Sequence, residues 1–182
     1  MANQQILASY SPESVVIVLS NENFQHTISG YTDGTFLNIA RVIPHATLYT
    51  GADGTNVRVT RSVTNVDITL TLHQGAESND VLSALLRNDE ESRNLDWLFS
   101  ITIKDTSGRT VVSAPNAFIG TVPDIGFGTE QSDREWVLHA VGASVNIGGN
   151  GKLTADTYST LVDDLDVEVD DYWRTSVPAI TA

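Results

Sequence analysis

The sequence predicts a mainly β fold, an antiparallel β-sandwich or barrel with one α-helix on its flank. Three observations predict it. Roughly nine to eleven short runs are rich in β-branched and aromatic residues and alternate apolar with polar. Gly, Pro, Asn and Asp clusters punctuate them. A strong helical stripe occurs in a single stretch, about residues 79–90. The chain has 182 residues, enough for one domain with a real core.

Residues 1–11 are polar and aperiodic and read as an N-terminal arm. Val15–Leu19 is a β-branched run, and "SNEN" turns the chain back through Phe24–Ile28 as a hairpin. Phe36–Val42 alternates until Pro44, which cannot donate to a ladder. Ala46–Thr50 is a short strand, and Asp53-Gly54 is a strong turn signal. "TNVRVTRSVTNVDITLTLHQ" (55–74) then alternates over two strand lengths. It is expected to be a long hairpin. Val57, Val59, Val66, Ile68, Leu70 and Leu72 form its apolar side, and Asn56, Arg58, Thr60, Asn65, Asp67, Thr69 and Thr71 its wet side.

In "ESNDVLSALLRNDEES" Ser78 or Asn79 is suited to cap a helix, and Asp80 complements its dipole. Leu82, Leu85 and Leu86, with Val81, form the stripe that packs this helix on the sheet. Strand character returns at Trp97–Lys104, Arg109–Ser113, Asn116–Gly120 and Arg134–Gly149. "DTSG" (105–108) is a turn and "TVPDIGFG" (121–128) a Pro/Gly-interrupted connector. The domain is placed at 1–149 and an acidic C-terminal extension at 150–182. The extension holds two basic residues (Lys152, Arg174) against seven acidic ones. Thr154 caps a short helix there, with Tyr158, Leu161, Val162 and Leu165 on one face, and Val167 and Val169 alternate like an exposed strand.

Ten basic and 23 acidic residues give a formal charge of −13. That argues against a role resting on nucleic-acid or anionic-lipid affinity, since both draw on Lys and Arg. With no cysteine there is no disulfide framework and no thiolate zinc site. The N-terminal stretch lacks a basic n-region and a long apolar run, so a soluble, unexported chain without a membrane span is expected.

His26, His45, His73 and His139 fall in no metal-ligand spacing, so no metal and no cofactor are expected. The paired carboxylates at 89–91, 163–164 and 170–171 read as solvated rather than as an acid/base pair in unlike environments. There is no nucleophile elbow and no phosphate-binding glycine loop. No catalytic residue is nominated, and the expectation is a protein that is not an enzyme. Trp97 and Trp136 sit in apolar strands and read as core rather than as a sugar platform. Trp173, in the acidic tail, is a candidate anchor on a neighbouring subunit.

Six phrases in register carry a resemblance: "YSPESVVIVL" (10–19), "HTISGYTDGTFLNIAR" (26–41), "GADGTNVRVTRSVTN" (51–65), "SNDVLSALL" (78–86), "IKDTSGRT" (103–110) and "PDIGFGTEQSDREWVLHA" (123–140). Together they resemble the tail tube proteins of contractile-tailed bacteriophages, over about residues 10–149. The extension beyond Gly149 is longer than that family implies.

The resemblance implies a structural virion protein of the tail, assembled in the host cytoplasm. Its hexameric rings would stack into a tube through which DNA passes without specific binding. It implies a ring-wide inner β-barrel built from neighbouring subunits. It also implies sheath, baseplate, tape-measure and tail-terminator partners. On that reading Asn56, Arg58, Thr60, Asn65, Asp67, Thr69 and Thr71 face the lumen, with Arg58 paired to Asp67 across strands. Tyr31, Thr32, Asp33 and Phe36, with the N-terminal arm, make ring-to-ring contacts. Two other readings stay open: a tube protein of a contractile bacteriocin or secretion system, and a β-sandwich glycan or host-recognition module.

Overall fold

The computed structural model describes residues 8–92 and 94–175. Most of the expected N-terminal arm (1–7) and the last residues of the extension (176–182) lie outside them. The described chain is a mostly antiparallel β protein with few helices. After a single turn at Pro12–Ser14 come β1 (Val15–Ser20), β2 (Gln25–Thr27), β3 (Leu37–Arg41), β4 (Ala46–Thr50), β5 (Asn56–Thr60) and β6 (Val66–His73). Helix α1 (Ser78–Ser92) follows, then β7 (Phe99–Asp105), β8 (Val111–Thr121), β9 (Asp133–Val141), β10 (Ser144–Asn146) and the short α2 (Ala155–Ser159).

The main sheet has the order β2-β1-β7-β8-β9-β6-β3, with β10 added beside β8, and every pairing is antiparallel. One chain segment shows that it is rolled. Ile28 donates its N–H to Ile17 of β1 at 2.8 Å, and Gly30 accepts from His73 of β6 at 3.0 Å. Two residues span at most about 7 Å. In a flat sheet β1 and β6 would stand four strand spacings apart, roughly 19 Å. The sheet therefore curls until β1 and β6 almost meet, and its single apolar face becomes the inside.

Inward positions alternate as the period-2 pattern demands. Ile17 and Leu19 of β1, Ile101 and Ile103 of β7, Ile119 of β8, Leu138 and Ala140 of β9, and Val66, Ile68, Leu70 and Leu72 of β6 share one core. Tyr31 ties the closure. Its backbone bridges Leu72, its hydroxyl donates to the Ile28 carbonyl at 3.1 Å, and its ring stacks on Phe36. Burial raises the phenol's pKa above its ordinary value. Gly30 sits at φ +80°, where a Cβ would lie 2.3 Å from the Ala76 Cβ.

Helix α1 runs one residue earlier and two later than expected and seals the core with Leu82 and Leu85; Leu86 packs half-buried against it. Ser78 and Asn79 are not simple caps. Ser78 is fully buried, accepts from the Ser29 N–H at 2.9 Å and lies 2.9 Å from His26 Nε2. Asn79 donates to the His73 carbonyl and accepts from the buried Trp136 indole N–H at 2.9 Å. That supplies the acceptor a buried indole requires.

Three strand expectations change. The pieces at 109–113 and 116–120 are one strand, β8. It runs through Pro115, where the register against β7 shifts and no ladder donor is needed. The expected last long strand breaks at Gly142 (φ +70°) into β9 and β10, which follow β8 on either side of that bulge. The expected hairpin over 56–72 does not form. β5 pairs with β4 as a separate ribbon turned by Asp53 and Gly54, while β6 pairs with β3 and β9.

Replacing Leu82 by Ala should cost about 2–5 kcal/mol, since the side chain is wholly enclosed; urea unfolding measures it. Gly30→Ala should destabilise the fold by more than 1 kcal/mol (an order-of-magnitude figure for a strained positive φ). Its thermal midpoint, compared with that of Gly126→Ala, where φ is not positive and nothing crowds the added methyl, checks this.

Candidate functional site

The outward face of β6 is half-exposed at Asp67, Thr69 and Thr71. Register places Glu135, Val137 and His139 of β9 beside them, Asn38 and Ala40 of β3 on one flank, and Phe118 of β8 on the other. The residues so placed carry two carboxylates, two hydroxyls, an amide and an imidazole beside Ala40, Val137 and Phe118, and neither Lys nor Arg. At the centre of this face His139 Nδ1–H donates to Asp67 Oδ1 at 2.6 Å. The imidazole lies against Gly120, where a Cβ would fall 2.2 Å from its Cδ2, so glycine leaves the space it needs. His139, not Arg58, is the partner of Asp67. Sequence spacing could not reveal this, because strand neighbours 72 residues apart are set by sheet order.

The other expected face residues part company. Asn65 lies in the link before β6, where its side chain accepts from the Gly142 N–H. Asn56, Arg58 and Thr60 sit on β5, away from the main sheet, and every residue of β5 is exposed. Val57 and Val59, expected to close the core, are 54% and 43% exposed.

The loop expected to carry ring-to-ring contacts is largely engaged inside the subunit. Phe36 is buried under Tyr31. Thr32 donates its hydroxyl to Asp133 Oδ2 at 2.6 Å and its N–H to Thr71. Asp33 is left exposed at the tip.

The acidic extension folds back on the turn after β7. Arg109 donates to the Gly151 carbonyl at 2.7 Å and stacks over Trp173 at 4.7 Å, so Trp173 is anchored within its own subunit. Leu153 bridges to Arg174 in parallel. Thr154 caps α2 as expected by accepting from the Thr157 N–H. Val167 and Val169 lie outside any strand, and Leu165 is exposed.

Asn150 donates to Asp105 Oδ2 at 2.8 Å. Burial alone would raise the Asp105 pKa, but hydrogen bonds from Ser107 and Asn150 outweigh it and hold the carboxyl below its ordinary value.

Among the described residues no group of three or more His, Asp or Glu could hold a metal, and no helix is long and apolar enough to cross a membrane.

No family model matches the chain. Over 168 residues it is 33% identical to "Structural protein ORF10" of Pseudomonas phage KPP10, which spans 91% of this chain and 96% of that protein. A chain of the virion of a native gene transfer agent particle is similar in structure, with a TM-score of 0.52 at 13% identity, covering 76% of this chain and all of that one. At that identity the likeness shows a shared fold. A chain of the anti-feeding prophage cap, a tube terminating cap, matches at 15% identity with a TM-score of 0.48 over 80% of this chain and 99% of its own. That likeness is too shallow to argue from.

A lowered carboxylate pKa adds stability above the ordinary carboxylate range and loses it as pH falls through the folded value. The Asp105–Asn150 anchor should therefore hold at neutral pH and loosen below about pH 4. Asn150→Ala should loosen it already at neutral pH, raising amide exchange in residues 150–175 by roughly 2- to 10-fold for one lost hydrogen bond. Hydrogen-exchange mass spectrometry reads both.

Proposed function

The chain belongs to the phage structural protein family of structural protein ORF10, and on that premise we propose that it forms stacked rings, six-membered by the resemblance, of the inner tube of a contractile tail. It is a component of the phage particle, and its relative is a structural protein rather than an enzyme. The finer reading rests on one observation: the face of β3, β6, β9 and β8 is largely polar, partly acidic and free of Lys and Arg.

A conduit wall must let a polyanion pass without holding it. Affinity for the phosphate backbone comes from Lys and Arg, so a wall lacking both has nothing to trap it with. Moving Arg58 off this face removes the exception that the sequence pattern suggested.

Among the described residues the sheet also ends on two unpaired edges, the outer sides of β2 and β3. Unpaired edges invite strand pairing, and joining them between identical copies closes them in a ring. Asp67, Thr69, Thr71, Glu135 and His139 are the lumen candidates on this reading, and Asp33 the ring-to-ring candidate. Residues 1–149 are the tube domain and 150–182 an extension outside the wall. The sheath, baseplate, tape-measure and tail-terminator proteins of the same tail are the proposed partners.

Negative-stain electron microscopy of the purified protein should show rings or tubes with a central hole. Compact single particles at every concentration would refute the reading. Single rings that never stack would point to a terminator role instead. Thr69→Lys with Thr71→Lys should leave the rings intact and add DNA retention that fades as salt rises, measured by co-sedimentation with short duplex DNA.

A further inference from the structure

The β4–β5 ribbon is finished on neither face. Register puts Thr47, Tyr49, Val57 and Val59 on one side and Leu48, Thr50, Asn56 and Arg58 on the other. Leu48 is 73% exposed and Tyr49 66%, and the ribbon pairs with no strand of the main sheet. It is the far end of the β3–β6 pair, carried on by Val42 N–H to the Asn65 carbonyl and Arg61 N–H to the His45 carbonyl, and with both faces uncovered it is placed to lie against something.

Its charge says what. Residues 41–65 hold Arg41, Arg58 and Arg61 against Asp53 alone, in a chain of formal charge −13. Among the described residues the sole ion pair is His139–Asp67, so none of these arginines has a carboxylate within 4.0 Å there.

The complementary surface is on the same chain. A groove of about 590 Å³ runs between the acidic extension and the strand path after β10. Ile147, Leu161, Val167 and Val169 give it apolar walls, and Glu168 and Asp170 an acidic rim. Lys104 and Arg109 line it from β7 and the turn after it, with Arg109 held by Trp173 and the Gly151 carbonyl, so the negative excess lies on the extension, seven acidic residues against two basic. The extension's own bases are likewise engaged: Lys152 stacks on Tyr172 and Arg174 on Tyr158. Glu168 and Asp170 are left exposed without a basic partner among the described residues.

We propose that the β4–β5 ribbon of one copy docks in the groove beside the acidic extension of a neighbouring copy, with Tyr49, Val57 and Val59 against its apolar walls and Arg58 and Arg61 against its acidic rim. This rests on the self-assembly reading above and names the contact that carries it. It gives the extension a task in assembly.

The test is charge exchange read by sedimentation velocity. Arg58→Glu with Arg61→Glu should lower the assembled fraction at least tenfold at fixed protein concentration, and Glu168→Lys with Asp170→Asn, which keeps the acceptor for the Tyr172 N–H, should do the same. All four sites are exposed, so circular dichroism and the melting temperature should not move. The fourfold variant should recover assembly. If both double variants assemble like the parent, or the fourfold variant stays dissociated, the ribbon docks elsewhere and the proposal is overturned while the ring reading stands. If the parent protein never assembles, both fall together. A second measurement does not depend on charge. The chain has no cysteine, so Tyr49→Cys with Val167→Cys supplies the only thiols for a bismaleimide. A ladder of joined copies on a denaturing gel supports the contact, and intact rings without a ladder overturn it.

Discussion

The structure depends on one closure. Residues 28–32 step from the edge of β1 to the end of β6 and force a long antiparallel sheet to roll onto itself. Rolling turns the most apolar face inward and leaves outward a mixed face, polar along β6 but carrying Val16 and Val18 on β1 and Val137 on β9. Without it, Ile17 and Leu19 of β1 could not share a core with Val66, Ile68, Leu70 and Leu72 of β6, and α1 would have no open end to seal. Gly30 and Tyr31 make the step possible. One supplies a left-handed backbone beside Ala76, and the other carries a ring and a hydroxyl into the seam.

Closure also decides which parts of the chain remain unsatisfied. The rolled body is complete inside but ends, among the described residues, on the unpaired edges of β2 and β3, and the β4–β5 ribbon projects beyond it. These are the features of a part rather than of a finished particle. A monomer that kept Leu48, Tyr49, Val57 and Val59 in water would forgo roughly 1.5–3 kcal/mol for each large side chain that a neighbour could bury. The acidic extension, pinned by Arg109 and Asn150, completes the picture by holding a negative, partly apolar surface in a fixed place on the body.

Much of this was legible from local signals. β4 matches the expected Ala46–Thr50 run, α1 differs by one or two residues at its ends, and the alternation of β6 is buried and half-exposed in strict turn. Thr154 and the Asp53-Gly54 turn do what their chemistry suggests. The errors share one cause. Alternation says which residues share a face but not which strand lies beside which. Thus β5 and β6, adjacent in sequence and matched in pattern, belong to different sheets. Asp67 finds His139 rather than Arg58, and Pro115, between the expected pieces 109–113 and 116–120, sits at a bulge inside β8.

The sequence by itself determined the period of every strand, the single helix stripe, the acidic balance and the resemblance that pointed to a phage structural protein. These are properties of short windows or of simple sums, and local sterics and side-chain chemistry set them. Only the tertiary structure decided the order of the strands, the closure of the sheet and the stranding of the ribbon outside it. Those depend on contacts between residues far apart in the chain, whose free energy arises only when the whole sheet closes and excludes water from one face.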